Sequence, residues 1–356
     1  MAEITPFRAV RYGDGAGPLD RLVAPPYDVL SPEERDRYAR RSPYNVVHLT
    51  LPDDEDEAGR RWRNWRADGV LVDEDEPGYW WLSQDYVGPD GVARTREGVV
   101  AALRAEPYAE RVVLPHERTH RGPKEGRLRL LRAVHAQLEP LFLLYEGEPP
   151  ARRLERPPDL ETDGVRLWRL PPDGIAEAFA GRQLLIADGH HRYETALAYH
   201  DEAGTPESSY VLAVLVSLDD PGLMIFPTHR LLQGVNGPNP THDDINLAML
   251  DLEEQPLDQA RGVLYRRNHR IAMMYGDKGQ LDVELTDALQ PKGVAYTASI
   301  DEAVTAVERG DADGALLVRP TPIQDVYARA RDGRVMPQKT TYFYPKLVSG
   351  LLFLPL

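Results

Sequence analysis

Asp188-Gly189-His190-His191-Arg192 puts more chemistry into fewer residues than any other stretch of this 356-residue chain. It follows the apolar run Leu184-Leu185-Ile186-Ala187, which reads as a buried strand. It precedes Tyr193, Ala196, Leu197 and Tyr199, which recur at helical spacing. A strand, a tight turn and a helix start would offer free backbone N–H groups and the positive end of the helix dipole. His190, His191 and Arg192 add side-chain donors and one permanent charge, a set that suits phosphate. Asp188 would repel that phosphate unless a cation lay between them, so the pairing points to a metal–phosphate complex such as Mg2+ with a nucleotide. A plainer use is also open, with Asp188 capping the helix, Gly189 serving the turn and the histidines solvated.

Three further sets carry chemistry. His116-Glu117-Arg118-Thr119-His120 matches the His-Glu-x-x-His string of zinc proteases, but Pro115 precedes it and Gly122-Pro123 follows at once, which argues against a continuous helix. A polar loop in which Glu117 takes a proton or His116 meets a metal suits that context better, beside the reading of an ordinary surface loop. Pro227-Thr228-His229-Arg230 could bring a second cation to a phosphate, as could the tail lysines Lys339 and Lys346, although salt-bridging is the ordinary role of such residues. No Gly-x-x-x-x-Gly-Lys-Ser/Thr loop, Gly-x-Gly-x-x-Gly turn or Gly-x-Ser-x-Gly elbow occurs.

The elements that would position these groups follow from pattern. Ser31-Pro32-Glu33-Glu34 signals a helix start, with the stiff Pro25-Pro26-Tyr27-Asp28 loop just before it. Residues 58–72, with Trp62 and Trp65, read as an amphipathic helix ending near Gly69. Residues 79–105 read as a hairpin, 127–138 as a helix, and 141–145 and 210–218 as buried strands. Gly234 to Pro240 is the strongest break in the chain. Beyond it, strands near 270–275 and 314–318 flank a helix at about 300–309, a βαβ-like pattern. The length predicts two domains, at 1–235 with an insertion at about 52–150 and at 236–356, the second with a tail over 336–346 that could return to the site.

Composition narrows the chemistry. The chain has no cysteine, which removes disulfides, thiolate metal sites and cysteine nucleophiles. Its net charge of −15 argues against nucleic acid as a partner. No apolar run approaches a membrane span and no secretory signal opens the chain, so a cytoplasmic protein is expected. Oligomeric state is left open by the sequence.

Ala24-Pro25-Pro26-Tyr27-Asp28-Val29, His116-Glu117-Arg118-Thr119, Ala187 to Ala196, Thr228-His229-Arg230 and Met336 to Lys346 together resemble the "domain of unknown function ten-fifteen" family of prokaryotic proteins, in the same order and nearly end to end. The Asp-Gly-His-His-Arg turn is also similar to the phosphate-binding turn of the ParB/sulfiredoxin-like superfamily, which includes free serine kinase. The resemblance implies an α+β (mixed α/β) fold with a ParB/sulfiredoxin-like core, an inserted β-hairpin region and a smaller C-terminal α/β domain. It implies that Gly189, His190, His191 and Arg192 cradle nucleotide phosphates, with Asp188 near a metal or the substrate hydroxyl. Sulfiredoxin chemistry needs a cysteine, so the kinase is the closer guide. A nucleotide-dependent phosphotransferase or phosphohydrolase is then expected, using Mg2+ and ATP, ADP or another nucleotide on a small hydroxylated metabolite, with Glu117 or Asp28 as base. A nucleotide-binding regulatory switch and a metal-dependent hydrolase built on His116, Glu117 and His120 are the alternatives.

Overall fold

The computed structural model describes residues 2–117, 121–235, 260–268, 270–275, 280–337 and 339–356. The chain is a mixed α/β protein of two compact units. The first comprises Met1–Gly88, Ala93–Leu223 and Pro345–Leu356, and the second Pro89–Val92 and Met224–Tyr344. The division thus falls at 223/224, and the last residues of the chain belong to the first unit. Residues 236–240 of the Gly- and Pro-rich break lie outside the described residues.

The first unit is built on one mixed sheet. Its strands are β1 (Ile4–Thr5), β2 (Tyr79–Val87), β3 (Ala93–Arg104), β4 (Val113–Leu114), β5 (Leu141–Tyr145), β6 (Leu160–Thr162), β7 (Val165–Leu170), β8 (Leu184–Asp188) and β9 (Tyr210–Ser217). Their spatial order is β4-β8-β5-β9-β3-β2-β7-β6, with β1 beside β3. β8 runs parallel to β4 and β9 parallel to β5, whereas β8 and β5, β9 and β3, and β3 and β2 pair antiparallel. The hairpin of β2 and β3 is built into the middle of this sheet. β5 and β9 lie between other strands and are covered on both faces. That is why they read as continuous apolar runs, and every residue of β5 is buried.

Four longer helices accompany the sheet: α1 (Pro32–Ala39), α2 (Glu55–Ala67), α3 (Arg121–Val134) and α4 (His190–Ala203). α1 starts in a capping box, Ser31 Oγ accepting from Glu34 N at 3.2 Å and Glu34 Oε2 from Ser31 N at 3.1 Å. Trp62 and Trp65 of α2 are buried in a cluster with Tyr12 and Phe353. α3 begins earlier than the sequence pattern suggests and runs through Gly122-Pro123. Proline is tolerated in a first turn because the N–H it lacks has no intrahelical partner there. One face of the sheet packs Val99, Ala101, Leu141, Leu143, Leu184 and Ile186 against Tyr193 and Ala196 of α4. On the other face, Leu82, Val100, Leu212 and Val214 meet Leu347 and Leu351 of the C-terminal tail across an apolar gap of about 20 Å³.

The second unit carries β10 (His229–Gln233), β11 (Ala260–Arg266), β12 (Arg270–Tyr275), β13 (Gly293–Thr297) and β14 (Gly314–Val318), in the order β12-β11-β14-β10-β13. α5 (Ile300–Arg309) connects β13 to β14. Both of these strands pair antiparallel with β10, which lies between them, so they run parallel to each other. A split βαβ unit is therefore present, but the strand that leads into its helix is β13 at 293–297, not the one near 270–275 that the sequence pattern placed there. Ser299 caps α5 by accepting from Glu302 N at 3.2 Å, and Gly310 ends it at φ 88°.

Candidate functional site

The turn after β8 gets its geometry from two local irregularities. Ile186 lies opposite Leu143 on β5 and Asp188 opposite Phe142, so a bulge falls between them. Simple alternation would aim Asp188 with Leu184 and Ile186 into the core under α4. The extra residue moves it to the face of Phe142, along which the tail runs. Gly189 then enters α4 at φ 100°, ψ 23°, and a Cβ there would lie 2.7 Å from Leu141 Cδ2. Glycine is demanded both by the left-handed backbone and by the space.

Asp188 sits between two cations. Its Oδ2 accepts from Arg192 Nη2 at 2.5 Å, one helical turn on, and its Oδ1 accepts from Lys346 Nζ of the tail. All three side chains are at least four-fifths buried. Arg192 Nη1 also donates to Pro140 O. Burial by itself would raise the Asp188 pKa, but Lys346 and Arg192 outweigh it and hold the carboxyl well below the usual range. The cations respond in kind. Burial disfavours their charge, yet Asp188 and Asp28 raise Lys346, and Asp188, Glu139 and Asp28 raise Arg192. The triad is ionised at neutral pH.

A second carboxylate organises the surroundings. Glu139 is 5 % exposed, and its Oε1 accepts from Tyr27 N at 3.0 Å and from Ser349 Oγ at 2.9 Å. Arg127 lies 3.8 Å from Glu139 Oε2 and stacks 4.0 Å from the Tyr27 ring centroid. Glu139 thus ties the Pro25-Pro26-Tyr27-Asp28 loop to the tail, with Asp28 exposed on a short 3-10 turn. A cavity of about 40 Å³ lies beside the triad, lined by Arg127, Gln137, Glu139, Arg192 and Thr195 among apolar side chains. The named cations exceed the named carboxylates Asp28, Glu139 and Asp188 only when the helix dipole is counted with them.

His116 and His190 are neutral. His116 N donates to His190 Nε2 at 3.3 Å, and the rings meet edge to face at 4.6 Å. His116 Nδ1 lies 2.6 Å from Ile186 O, and a carbonyl can only accept, so the proton is on Nδ1. Burial pushes His116 down to about 4. Burial, with His116 adding to it, pushes His190 well below its ordinary value. His191 is half-buried on the same turn. The permanent positive charges at Asp188 are therefore those of Arg192 and Lys346.

The other expected residues are placed as follows. Glu117 is half-buried, and Arg118, Thr119 and His120 lie outside the described residues. His229, Arg230 and Lys339 belong to the second unit. There Arg230 Nη1 donates to Thr228 O, Nη2 to Lys339 O at 3.0 Å, and His229 Nδ1 accepts from Val318 N at 3.2 Å. Burial lowers His229 to about 4. Lys339 is exposed at φ 57°. Among the described residues, no group of three His, Cys, Asp or Glu is placed to hold a metal, and no helix is long and apolar enough to cross a membrane. Glu139 and Arg127 were not legible as site residues, because their meaning lies in contacts far along the chain.

The chain belongs to the family described as protein of unknown function (DUF1015), whose sequence model matches residues 4–303. No curated protein matches it. Among solved structures it is similar to free serine kinase in complex with AMP, at 16 % identity over 69 % of this chain and 86 % of that one, with a TM-score of 0.39. It is similar to a conserved hypothetical protein from Pyrococcus furiosus at 17 % identity over 69 % and 90 %, with a TM-score of 0.36. It is similar to SbnI with a C-terminal truncation from Staphylococcus aureus at 9 % identity over 70 % and 85 %, with a TM-score of 0.39.

Proposed function

We propose that this member of the family binds nucleotide phosphates at the Asp188–Arg192 turn and transfers a phosphoryl group between them and a small hydroxylated metabolite, as a phosphotransferase or phosphohydrolase. The observation that carries the reading is Asp188, held ionised between Arg192 and Lys346 at the start of a 14-residue helix. Two buried cations converge on one carboxylate beside the start of the helix, and an incoming phosphate can exchange places with it. Arg192 and Lys346 then pair with phosphate oxygens while the first N–H groups of α4, at His190 and His191, point at the same anion. The exchange costs little, because each cation keeps an oxyanion partner throughout.

The released Asp188 carboxylate is the residue to hold Mg2+, which typically takes one or two carboxylates with phosphate oxygens. The ion would supply neutralisation of the charge between phosphate and Asp188. His116 fits that role less well, since Mg2+ is a hard cation that takes oxygen ligands and an imidazole offers only nitrogen. Asp28 is the favoured base over Glu117, because its charge acts on both Arg192 and Lys346. In the transfer, the substrate hydroxyl oxygen bonds to phosphorus, the bond to the leaving phosphate oxygen breaks, and the hydroxyl proton passes to Asp28.

The test is phosphorus NMR of ATP, ADP and CTP, each with Mg2+ and a panel of hydroxylated metabolites. The reading expects a new phosphate ester or faster nucleotide loss, abolished by Arg192→Ala and slowed about a hundredfold or more by Asp28→Asn. Tight nucleotide binding without turnover would favour the regulatory switch, and neither binding nor turnover would contradict the reading.

A further inference from the structure

Arg96 is a further buried cation, on the face of the sheet that carries Phe142, and it lacks a counter-ion. It lies on β3, is 0 % exposed, and donates from Nη2 to Gln84 Oε1 at 2.6 Å. Its Nε and Nη1 have no partner. The guanidinium lies 4.4 Å from the centroid of the Phe142 ring, and Phe142 is the residue opposite Asp188 in the sheet. Gln84 Nε2 in turn donates to Lys346 O at 3.1 Å, so Lys346 touches Asp188 through its ammonium and Gln84 through its carbonyl.

Two carboxylates act on Arg96 at a distance, and both are committed elsewhere. Asp188 is engaged by Arg192 and Lys346. Asp220 accepts from Glu97 N at 3.2 Å and Gly222 N at 2.9 Å. An uncompensated charge in such a place is costly, and a ligand oxyanion on the open nitrogens would remove that cost. The surrounding Phe142 ring and Gln84 amide fix the plane of the guanidinium, and a planar guanidinium recognises a carboxylate well.

We propose that Arg96 receives a carboxylate of the ligand, so that the site takes small carboxylic acids bearing a phosphate or a phosphorylatable hydroxyl. This assignment rests on the reading of the Asp188 turn as a phosphate site and narrows its substrate class. Gln84 acts as a positioning residue, linking the guanidinium through its own amide to the Lys346 carbonyl.

The two parts separate in a titration of 2-phosphoglycolate and ethyl phosphate, which differ by a carboxylate, into wild type, Arg96→Met and Arg96→Lys. The wild type should bind 2-phosphoglycolate about tenfold more tightly. Arg96→Met should erase the preference while leaving ethyl phosphate within about twofold, and Arg96→Lys should keep part of it; the lysine variant carries the test if the methionine variant does not fold. Equal binding of both compounds by the wild type overturns the Arg96 assignment and leaves the phosphate site standing. So does a preference that survives in Arg96→Met, or a loss of ethyl phosphate binding in that variant equal to the loss of 2-phosphoglycolate. Failure of the wild type to bind either compound overturns the phosphate reading and the assignment together.

Discussion

The Asp188–Arg192 turn of the first unit and the Thr228–Arg230 segment of the second use the same residue types to opposite ends. Each has a buried histidine next to or near an arginine, and each histidine is neutral because burial disfavours its charge. In the second unit the Arg230 guanidinium reaches the main-chain carbonyls of Thr228 and Lys339, and His229 receives an N–H from β14. Those contacts join the start of β10 to β14 and to the segment around Lys339. In the first unit Arg192 faces a carboxylate that is shared with Lys346 at a helix start. On the proposed reading, the cation bound to carbonyls ties segments of the second unit together, whereas the cation bound to a carboxylate can exchange that partner for phosphate. The lesson is that residue type leaves the role of an Arg-His pair open, and the partner decides it.

Removing the shared carboxylate should break the comparison most severely. Asp188→Asn leaves two buried cations facing each other, and should cost about 3–5 kcal/mol in urea unfolding, partly recovered by added phosphate. All five tryptophans, Trp62, Trp65, Trp80, Trp81 and Trp168, lie in the first unit, so their fluorescence follows this loss there. Next in size, Arg192→Ala should weaken phosphate binding by about ten- to a hundredfold in calorimetry, as loss of a charge-assisted pair predicts. Arg230→Ala should leave phosphate binding unchanged while lowering the melting temperature of the protein.

Acid should act next. The unfolded chain protonates His116 near its ordinary value and the folded chain at about 4, so between these the unfolded state binds more protons and stability falls as pH falls. The slope is about 1.4 kcal/mol per pH unit for each such histidine. Asp188 has the usual carboxylate sign: its stabilisation is present above the ordinary carboxylate range and is lost as pH falls towards its depressed folded value. His116→Asn should therefore flatten the change in tryptophan-detected stability between pH 6.5 and 4.5. The smallest effect belongs to Lys339→Ala, which should leave phosphate binding within about twofold, since Lys339 is exposed and contributes its carbonyl to Arg230.

Local features were legible in the sequence. The strand, turn and helix at 184–203, the Ser31 capping box, the helix carrying Trp62 and Trp65, and the strands at 141–145 and 314–318 all follow from periodicity and capping chemistry. The start of α3 was not, because a proline in a first turn is compatible with both a loop and a helix. The site was legible only in part. Asp188 and Arg192 are four residues apart and meet by helix geometry, but Lys346 lies 158 residues from Asp188. Lys339 and Lys346 are alike in the sequence, and only the course of the tail separates them. The bulge that aims Asp188 and the contacts of Glu139 likewise depend on strand register and distant partners, which no local pattern encodes.

The central claim is that the Asp188 turn binds nucleotide phosphate. Its most direct test is calorimetric titration of ATP, ADP and CTP, each with Mg2+, into the wild type and Arg192→Ala. Micromolar binding of at least one nucleotide that disappears in Arg192→Ala is the predicted result. No binding of any nucleotide, or binding that Arg192→Ala leaves intact, would contradict the account.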